Sequence, residues 1–191
     1  MGIDVFVIDP PWPQKKGGLR RTRPNQGKKL DYATLDVDAI FSLLERDVLS
    51  KATRNHCVFL WAIDKFLAEA EAGMLKRGYR LHARLIWDKG NGVAPSFTVR
   101  YTHEYLLWFY KEKLLPVSIP QRGRFATVIR ERSREHSRKP DAAYQMIESL
   151  YPGGRRLDVF SREHREGWEQ YGDQKDFFKQ GPKTGAERMT R

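Results

Sequence analysis

The sequence predicts an α/β fold in which a mostly parallel sheet is covered by helices on both faces. Strand-like and helix-like segments alternate along the chain, which is typical of that fold class. Several strand-like runs are apolar throughout, as strands are when a sheet is buried on both sides. The length of 191 residues fits one domain that is large enough to bury a core.

The first half of the chain contains two such strands, each followed by a helix. Residues 3–8 (IDVFVI) form the first predicted strand, which ends in Asp-Pro-Pro. Asp36 can cap a helix whose apolar positions follow helical spacing. Residues 57–61 (CVFLW) form the second strand, and another helix begins at Asp64 and ends near Gly78.

The second half is predicted to contain four more strands and one helix. Pro140 suits the first turn of that helix, which ends near residue 150. The strands are residues 80–87, 104–110, 125–129 and 156–160, the last of which ends the sheet. Ligands in open parallel sheets bind beyond the carboxyl ends of the strands. Those ends are residues 9–12, 61–64, 87–91 and 160–164.

Positive charge is in excess and is clustered. The chain carries 35 Lys and Arg against 24 Asp and Glu, a formal net charge of +11. Residues 13–30 form a basic, Gly- and Pro-containing loop without any acid, and residues 122–139 form a second basic cluster. Basic loops can serve solubility alone, but two clusters favour a polyanionic partner, because each phosphate contact releases a counterion. Nucleic acid is favoured over a membrane surface, since neither cluster lies on an amphipathic helix.

The composition excludes several other classes of protein. The apolar runs are far shorter than the roughly 20 residues that span a bilayer, and no secretory signal precedes the first strand. Cys57 is the single cysteine, so neither an internal disulfide nor a zinc framework is expected. These features predict a cytoplasmic protein that binds no metal.

The strongest local motif is Asp9-Pro10-Pro11-Trp12, directly after the first strand. The two prolines fix the backbone and supply no N–H donor, so the carbonyl groups are held rigidly. The Asp9 carboxylate and the Pro10 carbonyl are two acceptors beside a flat indole, and they match the two hydrogens of a nucleobase amino group. The alternative is a rigid turn in which Trp12 only anchors the surface.

These residues belong to a longer pattern that resembles the MT-A70-type adenine N6-methyltransferases, which use S-adenosylmethionine (SAM). The resemblance covers residues 3–174 in seven ordered pieces: IDVFVIDPPW, LDYATL, CVFLWAIDKFLAEA, RLIWDKGNG, THEYLLWFYK, HSRKPDAAYQMIESLYPGGRRLDVFSREHREGW and YGDQ. It implies a Rossmann-like methyltransferase fold with circularly permuted motif order. Residues 1–174 would then form the domain, with the basic loop 13–30 inserted, and residues 175–191 a polar, flexible tail.

The resemblance implies roles at the reacting base. Asp9 and Pro10 would hold the adenine amino group, Pro11 would keep the turn rigid, and Trp12 would line or stack the base. Asp9 would also lie next to the sulfonium methyl group. The conjugated amino nitrogen is weakly nucleophilic, so positioning and local electrostatics would supply most of the catalysis.

Further substrate contacts are expected around this corner. Tyr32 resembles the aromatic residue that packs on the target base, although it could equally anchor its loop. Trp61 and Trp87 end strands predicted to be adjacent and would wall the base pocket, unless they are core residues. The charged and polar candidates near the substrate are Lys89, His103 and Glu104, with Lys15, Lys16, Arg20 and Arg21 in the basic loop.

The resemblance also implies a cofactor site on the other side of the corner. Lys139, beside unpaired N–H groups at the start of the helix, would bind the carboxylate of SAM. The remaining cofactor candidates are Asp9, Ser137, Phe160, Arg162, His164, Asp173 and Gln174. Two positions depart from the family pattern: Asp173 stands where an amide is expected, and Arg165 replaces another polar contact. Either change could lower the affinity for SAM.

The sequence favours methyl transfer to adenine N6 in nucleic acid, with DNA preferred over RNA by analogy to small prokaryotic or phage-encoded relatives. Two alternatives stay open: a non-catalytic nucleic-acid-binding module with a methyltransferase fold, and a cytosine N4-methyltransferase. The sequence also leaves open a monomer, a homodimer and an obligate partner subunit.

Overall fold

The computed structural model describes residues 2–13, 34–90, 99, 101–134 and 138–174. Within these ranges the strands are β1 (Ile3–Ile8), β2 (Ala52–Ala62), β3 (Tyr79–Asp88), β4 (His103–Lys111), β5 (Val128–Arg130), β6 (Arg156–Val159) and β7 (Trp168–Tyr171). The helices are α1 (Val37–Leu43), α2 (Leu67–Lys76) and α3 (Asp141–Leu150).

The strands form one sheet in the order β5-β3-β4-β2-β1-β6-β7. Only β4, among the described strands, runs antiparallel to its two neighbours, and the other pairs are parallel. The predicted mostly parallel sheet is therefore confirmed. Because β4 runs the other way, its first residues, His103 and Glu104, lie at the edge where β1, β2 and β3 end.

Alternating side chains of the buried strands face opposite layers of helix. Phe6 and Ile8 pack in one core with the apolar faces of α1 and α2. Val5 and Val7 pack in a second core with the apolar face of α3. Near-continuous apolar strands thus serve two cores at once, as expected for a sheet with helices on both sides.

Local signals in the sequence set the helix ends. Asp36 caps α1, because its Oδ1 accepts a hydrogen bond of 2.7 Å from the Ala39 backbone N–H. Gly78 follows α2 with φ +74°, a left-handed conformation that glycine adopts without strain. The helix predicted to begin at Asp64 starts instead with a 3₁₀ turn, Asp64–Phe66, and α2 follows at Leu67.

Two predictions about the sheet are wrong. The chain does not end its sheet at residue 160, because β7 adds a parallel edge strand beside β6. Its sequence, Trp-Glu-Gln-Tyr, is too short and too polar to predict a strand. In addition, Trp61 and Trp87 do not end adjacent strands, because β4 lies between β2 and β3. No helix in the described ranges is long and apolar enough to cross a membrane.

Candidate active site

A cavity of about 890 Å³ opens at the carboxyl edge of the sheet. Its lining comes from the ends of β1, β2 and β3, the start of β4, the segment before α3, and the residues after β6 and β7. All four strand ends singled out from the sequence contribute to it. The position agrees with the rule that ligands of open α/β sheets bind beyond the strand ends.

The turn after β1 is held in place by backbone hydrogen bonds. The Asp9 N–H donates to the Val159 carbonyl (3.1 Å), and the Leu35 N–H donates to the Pro11 carbonyl (3.0 Å). The Pro10 carbonyl accepts the Trp12 N–H at 2.8 Å, which leaves it a second lone pair toward a ligand. These three residues, Asp9, Pro10 and Pro11, all line the cavity.

Trp12 closes the turn as an anchor as well as a wall. Its indole N–H donates to the Trp61 carbonyl at 3.0 Å, and its ring stacks on Phe66 with centroids 5.5 Å apart. The side chain is buried, although it also borders the cavity. One ring face of Trp12 is thus used inside the protein, so stacking of this residue on a base stays a prediction.

Four charged side chains meet behind the turn. Lys139 Nζ lies 2.9 Å from Asp9 Oδ2 and 3.3 Å from Glu104 Oε2, and Lys89 Nζ lies 2.6 Å from Glu104 Oε1. The Lys139 side chain is only 10% exposed and that of Glu104 13%. Two lysines and two carboxylates therefore compensate one another in a nearly enclosed place, which buried charges require.

This arrangement shifts the pKa values of its members in different directions. Burial raises the pKa of Asp9 above its ordinary value, although the ammonium of Lys139 acts against the rise. Burial also favours a higher pKa for Glu104, but Lys139 and Lys89 together outweigh it and the pKa is lowered. Burial disfavours the charge on Lys139, yet Asp9 and Glu104 raise its pKa overall, so it stays an ammonium group.

Two tryptophans form an aromatic wall beside the charges. The rings of Trp61 and Trp87 meet edge to face with centroids 6.0 Å apart, across the intervening β4. Lys139 Nζ lies 5.6 Å from the Trp61 ring centroid, and Lys89 Nζ lies 5.2 Å from that of Trp87. Both rings border the cavity, so a flat base could pack against them.

The residues after β6 and β7 form the opposite wall. Phe160 has φ +61°, a left-handed conformation that is unfavourable for a non-glycine residue and clusters at functional sites. A Cβ on Gly172 would lie 3.2 Å from the Phe160 Cα, so only glycine lets the two backbones approach this closely. Arg162, Asp173 and Gln174 also line this wall.

These residues fit a SAM molecule. SAM carries a carboxylate, an adenine and a ribose with two hydroxyl groups. Phe160 borders the cavity, where its aromatic ring matches the flat adenine. The buried Arg162 matches an anionic group, while the Asp173 carboxylate and the Gln174 amide match hydroxyl groups.

The expected anion site at the start of α3 is not available. The Asp141 and Ala142 N–H groups donate to the Glu131 carboxylate at 3.1 Å and 2.8 Å, and the Ala143 N–H donates to the Pro140 carbonyl. The expectation of unpaired N–H groups beside Lys139 is therefore wrong. Lys139 itself points at Asp9 and Glu104, so its contact with the cofactor carboxylate stays a prediction.

Some predicted site residues lie elsewhere. The His164 Nδ1–H donates a 3.2 Å hydrogen bond to Gln170 Oε1, and His164 borders a second cavity beside α3. His103 packs edge to face on Tyr105 and is not among the residues that line the first cavity. Arg165 pairs with Asp141 and Glu163, away from that cavity. The candidates outside the described residues are Ser137, Tyr32, Lys15, Lys16, Arg20 and Arg21.

Sequence reasoning left several residues of the first cavity or its support without a role. Arg134 lines the cavity but was only a member of the basic cluster, and Arg138, which also lines it, was matched to the family segment before α3 without a role. Glu131 was only one of two acids within that cluster, and its capping of α3 could not be foreseen across ten residues of chain. Within the described residues, no group of His, Cys, Asp and Glu side chains could hold a metal ion.

The sheet order, the helices on both faces and the cavity at the strand ends define a Rossmann-like methyltransferase fold. The family model for MT-A70 matches residues 3–174, and the chain therefore belongs to the MT-A70 family. This result agrees with the resemblance carried by Asp9–Trp12 and the other sequence pieces.

Several curated proteins are similar to this chain along most of its length. A putative N(6)-adenosine-methyltransferase MT-A70-like protein of Medicago truncatula is 27% identical over 89% of the chain, which covers 26% of that relative. The N(6)-adenosine-methyltransferase catalytic subunit METTL3 of Homo sapiens is 28% identical over 90% of the chain and 28% of its own length. The N6-methyladenosine RNA methyltransferase MTA1 of Pyricularia oryzae is 28% identical, over 90% of the chain and 46% of its own length.

The chain thus spans about a quarter of the length of the plant and animal relatives, and less than half of the fungal one. These three relatives are eukaryotic, so they lend no support to the predicted prokaryotic or phage origin. Their names likewise lend no support to the predicted preference for DNA.

Proposed function

We propose that this chain is a methyltransferase that transfers the methyl group of SAM to the N6 amino group of adenine in nucleic acid. The observation that carries the proposal is the Asp9-Pro10 turn, which presents a carboxylate and a rigid carbonyl to a cavity lined by two tryptophans. Family membership and the names of the relatives support the same reaction.

The amino group of adenine has two hydrogens, and the turn has two acceptors for them. Asp9 Oδ2 is paired with Lys139, so we assign the other carboxylate oxygen and the Pro10 carbonyl to the amino group. Accepting both hydrogens polarises the N–H bonds, which increases the electron density on nitrogen, and orients the nitrogen lone pair toward the methyl group. Burial raises the pKa of Asp9, and the Lys139 ammonium opposes that rise and so favours the ionised carboxylate as the acceptor.

When bound, SAM supplies an electrophilic methyl group on a sulfonium centre. Phe160, Arg162, Asp173 and Gln174 are the residues that we assign to hold it, because they line the wall opposite Trp61. After transfer the amino nitrogen is bonded to the adenine ring carbon, the new methyl carbon and two hydrogens, so it carries one positive charge, and it becomes neutral by losing one proton. Asp9 is the nearest base that we assign to receive this proton, and it needs little basicity because the methylated cation is acidic.

The polymer is proposed to approach along the β5 edge of the sheet. Arg130 and Arg132 are exposed at the end of this edge strand, and Arg134 continues the basic track into the cavity lining. The phosphate groups on either side of the target base would bind these arginines before the base enters the cavity. The name of the fungal relative specifies RNA, and we adopt RNA as the first polymer to test.

The decisive experiment is product analysis. The purified chain is incubated with labelled SAM and with single-stranded or double-stranded RNA or DNA, and the nucleosides are then separated by mass. N6-methyladenosine or N6-methyldeoxyadenosine supports the proposal, and the nucleoside identifies the polymer. Detection of N4-methylcytidine would show that the target is cytosine and not adenine, since the cytosine amino group offers the same two hydrogens.

A protein without catalytic function would give a different pattern. If calorimetry shows no binding at millimolar SAM while nucleic acid still binds, the chain is a binding module with a methyltransferase fold. If SAM binds and no nucleoside is labelled, the assigned reaction is wrong although the cofactor is right.

A further inference from the structure

Glu131 connects two walls of the first cavity through its backbone and its side chain. Its N–H donates to the Asp88 carbonyl at 3.3 Å, which extends the pairing of β5 with β3. Its carbonyl accepts the indole N–H of Trp87 at 2.7 Å. The orientation of the Trp87 ring, which borders the cavity, therefore depends on where residue 131 lies.

The Glu131 carboxylate acts on the segment that carries Lys139. Its Oε1 accepts the Asp141 N–H and its Oε2 accepts the Ala142 N–H, so one carboxylate caps the first turn of α3. A negative group at this end is also favoured by the helix dipole. Lys139 is joined to this turn through Pro140 alone, whose ring fixes the connecting backbone near φ −68°.

Arg134, three residues after Glu131, also holds the backbone around Lys139. Arg134 donates one hydrogen bond to the Lys139 carbonyl (3.0 Å) and another to Asp141 Oδ2 (2.6 Å). Arg134 also lies 3.4 Å from Glu131 Oε1. The backbone from the Lys139 carbonyl to the Ala142 N–H is thus held by Arg134 and Glu131, which also contact each other.

We propose that Glu131 is a positioning residue, which holds the Lys139 ammonium against Asp9 and sets the Trp87 ring in the cavity wall. The catalytic consequence rests on the proposed function, whereas the placement of Lys139 does not. Capping of α3 by itself would stabilise the fold without any special relation to Lys139. The two roles differ in whether the effects of changing Glu131 and Lys139 are coupled.

A double-mutant cycle separates these roles. Glu131→Ala is expected to lower kcat about tenfold, Lys139→Met to lower it further, and the double variant to be close to Lys139→Met alone. Glu131→Gln, which retains one acceptor oxygen of the carboxylate, is expected to recover part of the rate. If the fold-loss of kcat in the double variant equals the product of the two single fold-losses, the two residues act independently and the proposal is wrong.

The matched control is Glu148→Ala. Glu148 is a carboxylate within α3 whose side chain accepts an indole N–H, from Trp168 at 2.6 Å, and it borders the second cavity, not the first. Its removal is expected to lower the melting temperature about as much as Glu131→Ala while leaving kcat within about twofold. Loss of rate in Glu148→Ala comparable to that in Glu131→Ala would show a general loss of fold, and would also overturn the proposal.

A measurement without turnover decides the placement of Lys139 independently. Asp9 can be titrated by ¹³C NMR of its carboxyl carbon in the wild type and in Glu131→Gln. The charged and titratable groups that act on it are Lys139, Glu104, Arg162, Asp158 and Tyr144. If Lys139 moves away, the pKa of Asp9 rises, and an unchanged titration would contradict the proposal. If no nucleic acid is methylated by the wild type, the proposed function fails and this titration still tests Glu131.

Discussion

Two aspartates at neighbouring strands, Asp9 and Asp158, are both largely shielded from water, and the surroundings of the two carboxylates differ. Asp9 follows β1, whereas Asp158 lies within β6, one residue before the position that pairs with Ile8. Burial raises the pKa of both, and that of Asp158 reaches about 7. Asp9 has the Lys139 ammonium at 2.9 Å and lines the cavity. Asp158 contacts the Tyr144 hydroxyl at 3.4 Å and lies outside the cavity lining.

The comparison shows that a buried carboxylate with a raised pKa is not in itself a functional site. Asp158 is packed under α3, where its charge is opposed by burial and only partly relieved by Ser161 and Arg165. Asp9 combines a cavity, a rigid acceptor beside it and an ammonium group that opposes the rise of its pKa. We therefore expect the two aspartates to respond oppositely to the same substitution.

The largest expected effect is on catalysis at Asp9. Asp9→Asn replaces an acceptor-only carboxylate by an amide and should lower methyl transfer by at least about 10³-fold, measured with labelled SAM and the preferred polymer. Asp158→Asn is expected to keep the rate within about threefold, because this side chain touches no reacting group. Equal losses in the two variants would remove the distinction on which the site assignment rests.

The second effect concerns Lys139, the ammonium group that lies beside Asp9 and has no counterpart beside Asp158 among the described contacts. Lys139→Met should lower kcat about 10²-fold and move the acidic limb of the pH–rate profile to higher pH. The reason is that Lys139 lowers the pKa of Asp9 against burial, so without it a higher pH is needed to ionise Asp9.

The matched control for this limb is Lys89→Met, because Lys89 pairs with Glu104 and has no ion pair with Asp9 among the described residues. Its acidic limb should stay close to that of the wild type. An unmoved limb in Lys139→Met would show that Lys139 does not act through Asp9.

A third effect tests the polymer path outside the cavity. Arg130→Gln with Arg132→Gln should weaken nucleic-acid binding and reduce the slope of log K against log salt by about 0.7 for each lost contact to a single strand. Lys76→Gln with Arg80→Gln removes the same charge from exposed positions near the opposite end of β3. An identical change of slope in both double variants would show that the arginines at the β5 edge act only through general electrostatic attraction and do not contact the polymer specifically.

The smallest effect is on stability at Asp158. Its pKa is about 7 in the folded state and 3.8 as the ordinary value, so its favourable contribution is complete below the ordinary value and is lost as the pH rises through 7. Asp158→Asn should therefore stabilise the protein by on the order of 2 kcal/mol at pH 8 and by less at pH 5. Urea unfolding at both pH values measures this. A variant that is less stable at pH 8 than the wild type would show that the carboxylate is better compensated than its surroundings indicate.

Much of the architecture could be predicted from the sequence, because its signals are local. The apolar runs of β1 and β2, the Asp36 cap and the Gly78 stop depend on neighbouring residues only. The edge strand β7 could not be predicted, since four half-polar residues become a strand only when β6 offers them hydrogen bonds. The same is true of Arg134 at the cavity, whose place depends on Asp141 and on the carbonyl of Lys139.

The sequence by itself determined the sheet-forming segments, the excess of positive charge and the Asp9–Trp12 turn, because each of these is written in consecutive residues. Only the tertiary structure decided which charges meet. Lys139 reaches both Asp9 and Glu104, because the antiparallel β4 brings Glu104 to this edge of the sheet and because a distant carboxylate caps α3. Ion pairs and caps between elements depend on strand order and direction, and neither can be read from spacing along the chain.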